Sequence, residues 1–153
     1  MPDSARKQIK DALRTKLLTI SGIGTRVYTY YRPIEDCVEG FPAICIWAAE
    51  DAKGIVNTRL KAGLLKIGIV AYQAGGDVDA KIETLLQGIE TAIETDPMLG
   101  LTAMIADYQG ISGARVTSIA TASIGITEGT GNDTQGFADV TVEIPYRHQA
   151  ASP

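Results

Sequence analysis

The sequence predicts a single α+β domain. Three observations lead there. The stretches 41–50, 62–73, 115–127 and 137–147 are apolar or alternating over strand lengths. The stretches 5–19 and 78–95 repeat apolar residues at spacings of three and four, as helices with one buried face do. A chain of 153 residues suits one domain that buries roughly 70% of its unfolded surface without covalent staples. The domain is expected to span 1–147, with a flexible tail at 148–153, where no apolar pattern continues.

Helix 5–19 follows Ser4, a residue type that caps helices. Ile9, Leu13, Leu17 and Ile20 form its apolar stripe, and Arg6, Lys7, Lys10, Arg14 and Lys16 make the rest basic. That basic surface is either a solvated outer face or a partner-facing one. Gly22 and Gly24 end the element with backbone free to take positive φ.

Residues 25–32 read as an aromatic, β-branched strand. Tyr28 and Tyr30 share one face; Val27, Thr29 and Tyr31 share the other. The tyrosines fit ordinary sheet packing or a subunit interface, where tyrosine is enriched. Arg32-Pro33 closes the strand, because proline lacks a ladder donor. An acidic connection with Glu35, Asp36 and Glu39 follows.

The stretch 41–50 is the strand around which the chain is organised. Ile44, Ile46 and Ala48 lie on one face, Cys45 and Trp47 on the other, so it reads as an interior strand covered on both sides. Residues 51–59 then read as a polar loop, longer than a tight hairpin needs. Ile55 and Val56 look exposed in it, as an assembly contact would explain.

In strand 62–73, Leu65, Ile67, Ile69 and Ala71 form the cleaner apolar face. Gly75-Gly76-Asp77 breaks that strand and caps helix 78–95, with Val78, Ile82, Leu85, Leu86, Ile89 and Ile93 on its buried side. This helix is acidic and complements the basic first one. The two are expected to pair on one sheet face or to meet between neighbouring subunits. Glu94 and Asp96 sit at the unfavourable end of the helix dipole, with no local reason.

After a short apolar segment at 99–105 comes strand 115–127. Val116, Ser118, Ala120 and Ala122 alternate there, and such small residues suggest close packing under a helix. Ile119 is out of phase and hints at a bulge or an interface contact. Residues 128–136 form a glycine-rich turn. Strand 137–147 alternates most cleanly and should pair with 115–127 as a long hairpin.

Composition narrows the function classes. A net charge of −4 and a pI near 4.9 argue against a free-standing nucleic-acid binder. Cys37 and Cys45 form no disulfide framework and no Cys-x-x-Cys pair; Cys45 reads as a small core residue. Residues 1–20 lack the continuous apolar core of a secretory signal. No apolar run approaches the roughly 18–20 residues of a membrane span. The cytosol of the producing cell is the expected compartment.

No catalytic, cofactor-binding or metal-binding residues are predicted. His148 is the only histidine and lies beside the expected tail. There is no HExxH and no Walker loop. Gly129-Thr-Gly131 lacks the third glycine of a dinucleotide fingerprint, and Glu128 with Asp133 is too loose for a calcium loop.

The order of elements, with Arg32-Pro33 followed by Phe41-Pro42-Ala43, Glu50-Asp51, the Asp79-led helix and the final Ala138-Asp-Val-Thr-Val-Glu-Ile-Pro-Tyr146, resembles the tail-terminator proteins of long-tailed bacteriophages, the lambda minor tail protein U family. The likeness spans nearly the whole chain; the segment 100–115 and the tip at 128–136 depart from it. It implies a small domain with two main helices packed on a mixed, mostly antiparallel sheet, and no enzymatic activity. It further implies a homo-oligomer, a hexameric ring, that docks on the tail-tube protein, stops tube growth and offers a surface to a head-completion or connector protein. DNA would pass through the lumen without specific binding, in a virion assembled in the host cytoplasm. Candidate subunit or tube contacts are Arg14, Lys16, Tyr28, Tyr30, Arg32, Asp51, Lys53, Arg59, Asn132 and Asp133. Two other readings stay open: another neck protein such as a stopper, and a small ligand-binding or enzymatic domain.

Overall fold

The computed structural model describes residues 5–33, 36–37, 39–56, 60–101, 110–111, 113–125 and 134–149. Its elements in chain order are α1 (Ala5–Leu17), β1 (Val27–Tyr28), β2 (Ala43–Ile55), β3 (Leu60–Ala74), α2 (Val78–Glu94), β4 (Gly110–Ile111), β5 (Arg115–Gly125) and β6 (Thr134–Gln149). They build an α+β domain around one mixed, mostly antiparallel sheet in the order β1-β2-β3-β6-β4, with β5 also on β6. Among the described residues, only the β1–β2 pairing is parallel.

Strand β3 is central and takes antiparallel partners on both edges. Ile69 pairs with Ile46 on one side and with Val140 on the other. The period of two then sorts the faces. Leu65, Ile67 and Ile69 of β3 join Ile44 and Ile46 of β2 and Val140, Val142 and Ile144 of β6, all buried, on the face that the helices cover. Ile9, Leu13 and Leu17 of α1 and Ile82, Leu85, Leu86, Ile89 and Ile93 of α2 close this core. The apolar stripe predicted for the second helix is its buried one, and so is that of the first except at Ile20, which lies beyond the end of α1 and is half-buried.

The opposite face carries a smaller apolar cluster of Cys37, Ala43, Cys45, Val70 and Tyr72, with Tyr28, Phe41, Trp47 and Phe137 around it. The segment after β1 lies against it: the Tyr72 hydroxyl donates to the Arg32 carbonyl at 2.9 Å, and the Cys45 thiol points to the same oxygen at 3.7 Å. Strand β2 is therefore covered on both faces over its first residues, as its composition implied, and burial holds the Cys37 and Cys45 thiols above their ordinary pKa.

Several boundaries differ from the sequence reading. The tyrosine strand shrinks to Val27–Tyr28, because the chain bends away and leaves Tyr30 and Tyr31 57% and 60% exposed. The loop expected from Asp51 is instead the far half of β2, which continues to Ile55 against β3. Asp77 stands at the N-cap of α2 but takes a left-handed backbone (φ 58°) with no side-chain capping bond. Helix α1 is followed by a turn with Gly22 (φ 83°) and Gly24 (φ 59°) in the positive-φ region, where glycine meets no Cβ penalty; Ser4 lies outside the described residues. The β5–β6 hairpin is present. Ser118 and Ala120, expected under a helix, are exposed, because a bulge sets them opposite Thr141 and Asp139, on the face away from the helices. The bulge falls between Val116 and Ser118 and puts Ile119 back opposite Val140. The expected tail also starts too early: His148 and Gln149 belong to β6, and His148 is 1% exposed.

Candidate functional site

Where each predicted contact residue lies decides what it can offer a partner. Arg14, in the last turn of α1, donates from Nε to the Val27 carbonyl at 2.8 Å, so it ties the helix to β1. Lys16 pairs with Asp96 just beyond α2, Nζ to Oδ2 at 2.6 Å. The two helices thus meet on one sheet face of the same molecule, and Asp96 has the local reason the sequence did not reveal. The Lys16 ammonium, first of all through its hydrogen bond, holds the Asp96 carboxyl below its usual range.

Tyr28, Tyr30 and Arg32 form a second group. The Arg32 guanidinium lies 4.4 Å from the centre of the Tyr28 ring, a cation–π contact, and pairs with Glu39 at 3.2 Å. The Tyr28 hydroxyl donates to the same carboxylate at 3.2 Å. The Tyr30 ring stands 5.9 Å from Tyr28, and Tyr31 meets Trp47 edge-on at 6.1 Å. Three rings thus rise from one stretch, and the outer two, Tyr30 and Tyr31, face solvent.

Asp51 and Lys53 belong to the densest polar group among the described residues. A register shift between Ala48 and Glu50 explains their orientation. One extra residue in a strand turns the following side chains to the other face. Without the shift, Glu50 would face the helices. With it, Glu50 pairs with Lys66, and Asp51 and Lys53 turn toward the helix side beside Leu65 and Gly63. There Lys53 Nζ donates to the Tyr146 hydroxyl at 2.5 Å, and that hydroxyl donates to Asp51 Oδ2 at 2.6 Å. Lys53 also stands 3.2 Å from Asp51 Oδ2 and 2.7 Å from His148 Nε2. An ammonium has only donors, so Nε2 accepts and the ring proton sits on Nδ1. The Tyr146 and His148 rings stack at 5.6 Å. Arg6 of α1 reaches Asp51 at 3.4 Å.

Gly63 makes this possible, since a Cβ there would run into the Tyr146 ring. Burial, followed by the bond to Asp51, drives the Tyr146 phenol well above its ordinary pKa. Sequence reading missed Arg6, Tyr146 and His148 as members of the group. The available signal was spacing: Asp51 with Lys53, and Tyr146 with His148, are each two apart, which puts each pair on one strand face.

Arg59, Asn132 and Asp133 lie outside the described residues. The apolar pair expected to be open to a partner is so: Ile55 is 84% exposed, with Val56 beside it. Across the sheet's uncovered face, Lys66 links Glu50 at 3.6 Å and Glu143 at 3.8 Å.

Little of this is shaped for chemistry on a small molecule. A groove of about 650 Å³ runs beside α2, lined by Ile20, Pro42, Leu85 and Gly88 among others. Its Lys81 donates to the Ala74 carbonyl rather than converging with an acid or base. Among the described residues, no group of three His, Cys, Asp or Glu side chains could hold a metal ion, and no helix is long and apolar enough to cross a membrane.

Comparison with known proteins supplies what geometry alone does not. No curated protein matches the chain. The family described as Bacteriophage Tail Tube Terminator Protein matches residues 3–152, which takes in both helices, the whole sheet and every contact residue named above. The chain belongs to the bacteriophage tail tube terminator family.

Proposed function

We propose that this protein closes the end of a phage tail tube as a ring of six copies, stops tube polymerisation there, and presents the surface to which the head-completion protein joins. The family match over residues 3–152 carries the reading. Three features of the molecule support it. Exposed aromatic and aliphatic side chains, Tyr30, Tyr31 and Ile55, stand where a partner can cover them; aromatic residues are favoured at such contacts. The charge of −4 suits a passage for DNA, since a basic lumen would hold the phosphates. The polar groups are engaged in holding the fold rather than converging on a reacting centre.

In this reading the protein acts by binding and not by catalysis, and its place is the virion, at the junction of tail and head. Arg14 and Lys16 hold α1 to the rest of the molecule. The tyrosine group around Arg32 and the β2 arm with Asp51, Lys53 and Ile55 supply the contacts. The test is tube growth: purified tail-tube protein elongates in vitro, and adding this protein should cap one end and halt extension. Tubes that lengthen at an unchanged rate, with no density added at an end in electron micrographs, would contradict the proposal.

A further inference from the structure

Among the described residues, the sheet ends on two edges with no neighbouring strand. Strand β5 pairs with β6 on one side only, and among the described residues no strand takes its outer edge. Such an edge presents a row of unpaired N–H and C=O groups, which natural proteins protect with lysine, proline, very short strands or a cover. Strand β5 has none of the first three. It is 11 residues long, and from Val116 to Gly125 it contains neither a charged residue nor a proline. Thr117, Ser118, Ile119, Ala120 and Thr121 are all exposed, with Ile119 at 40%. Its one bulge lies near its start, between Val116 and Ser118, so the edge is regular from Ser118 to Gly125, and an edge of that length needs a cover.

The opposite end of the same sheet offers one. Strand β1 covers β2 only at Ile44 and Cys45, so the outer edge of β2 over residues 48–55 has no neighbour among the described residues. Its direction is the fitting one. Strands β2, β3, β6 and β5 are each antiparallel to the next, so β5 runs opposite to β2. A second copy set beside the first in the same orientation therefore brings its β2 antiparallel to β5, the pairing that adds most to a sheet of this kind. The two edges differ, so the contact is heterologous and repeats from copy to copy, as a closed ring requires.

We infer that the outer edge of β5 pairs with residues 48–55 of β2 in a second copy, joining the sheets of neighbouring subunits. The inference rests on the ring proposed above and names the surfaces that close it. The bulge before Glu50 turns Asp51 and Lys53 to the helix side, among Tyr146, His148 and Arg6 of their own molecule, so these charged side chains are held within the subunit.

Backbone amide hydrogen exchange, measured by mass spectrometry on the ring and the monomer, tests it. Paired amides exchange slowly. Peptides covering 115–121 and 48–55 should both gain protection in the ring, whether it forms in solution or on tail tubes. Ile119→Lys, a charge placed on an exposed edge, should leave the monomer folded by circular dichroism and abolish the ring at concentrations that assemble the native chain. A ring in which either segment exchanges as fast as in the monomer overturns the edge pairing and leaves the ring reading standing. So does Ile119→Lys assembling like the native chain. Failure to form a ring both alone and on tubes overturns both.

Discussion

The Tyr146 hydroxyl donates to Asp51 Oδ2 at 2.6 Å, joining the end of β6 to the far arm of β2 across the intervening β3. Lys53 and His148 complete the group, and Arg6 brings in the first turns of α1. A buried hydroxyl that bridges a cation and a carboxylate cannot be lost cheaply, because the largely buried Asp51 carboxylate then loses a donor. Tyr146→Phe should therefore lower unfolding stability by about 1–3 kcal/mol, read as a fall in the urea midpoint at unchanged slope.

His148 gives a sharper contrast with the sequence. Were it the start of a free tail, its removal would cost nothing. It is instead stacked on Tyr146 and bonded to Lys53. His148→Ala should cost about 2 kcal/mol, through lost packing against Tyr146 and the loss of an acceptor for the Lys53 ammonium. A melting temperature equal to that of the native protein would return the residue to the tail.

The ring of the protein's one tryptophan occupies the space above Gly68, its partner across the strands, where a built Cβ would come within 2.6 Å of the Trp47 ring. Gly68→Ala must move that ring or the strand. It should destabilise by about 1–3 kcal/mol, as overpacking does, and shift the Trp47 emission toward that of a water-exposed indole. An unchanged spectrum would mean that the ring has room the structure does not show.

The Lys16–Asp96 pair predicts a response to acid. The folded state holds the Asp96 pKa below its ordinary value of 3.8, so this pair stabilises the fold above that value. Its contribution fades as pH falls through 3.8 toward the lower folded value. Asp96→Asn should lower stability at pH 7, and the native and variant proteins should converge as the pH falls below 3.8. Lys16→Glu should be rescued by adding Asp96→Lys, since the contact is within one molecule. Rescue that fails only in ring assembly would show that Lys16 also serves a neighbour.

Both helices, their buried stripes and the central apolar face of β3 were legible because burial imposes a period on long elements. Ile82 to Ile93 on α2 and Leu65 to Ile69 on β3 repeat often enough for that period to show. The β2 arm was not legible, because Asp51 and Lys53 are charged residues that turn inward in a strand. Their partners, Tyr146 and His148, lie almost a hundred positions away, and only the β2–β3–β6 register brings them together. The bulge after Ala48 was hidden for a related reason: it changes which face each residue takes, and Ala48 and Ala49 tolerate either. The short reach of β1 was obscured by its tyrosines, which suit a strand and an exposed contact equally well. The exposure of Ile55 and Val56 followed from apolar side chains in polar surroundings, whereas the internal ties of the candidate contacts Arg14 and Lys16 depend on the docking of α1 against β1 and α2.

The central claim is that copies of this chain form a ring on the end of a tail tube. Light scattering on the purified protein, alone and after addition of tail tubes, measures it most directly. The account predicts either a species of six-fold mass in solution, or a monomer that is depleted onto tube ends in multiples of six. A monomer whose mass stays at that of one chain, and which remains wholly in solution when tubes are present, would contradict it.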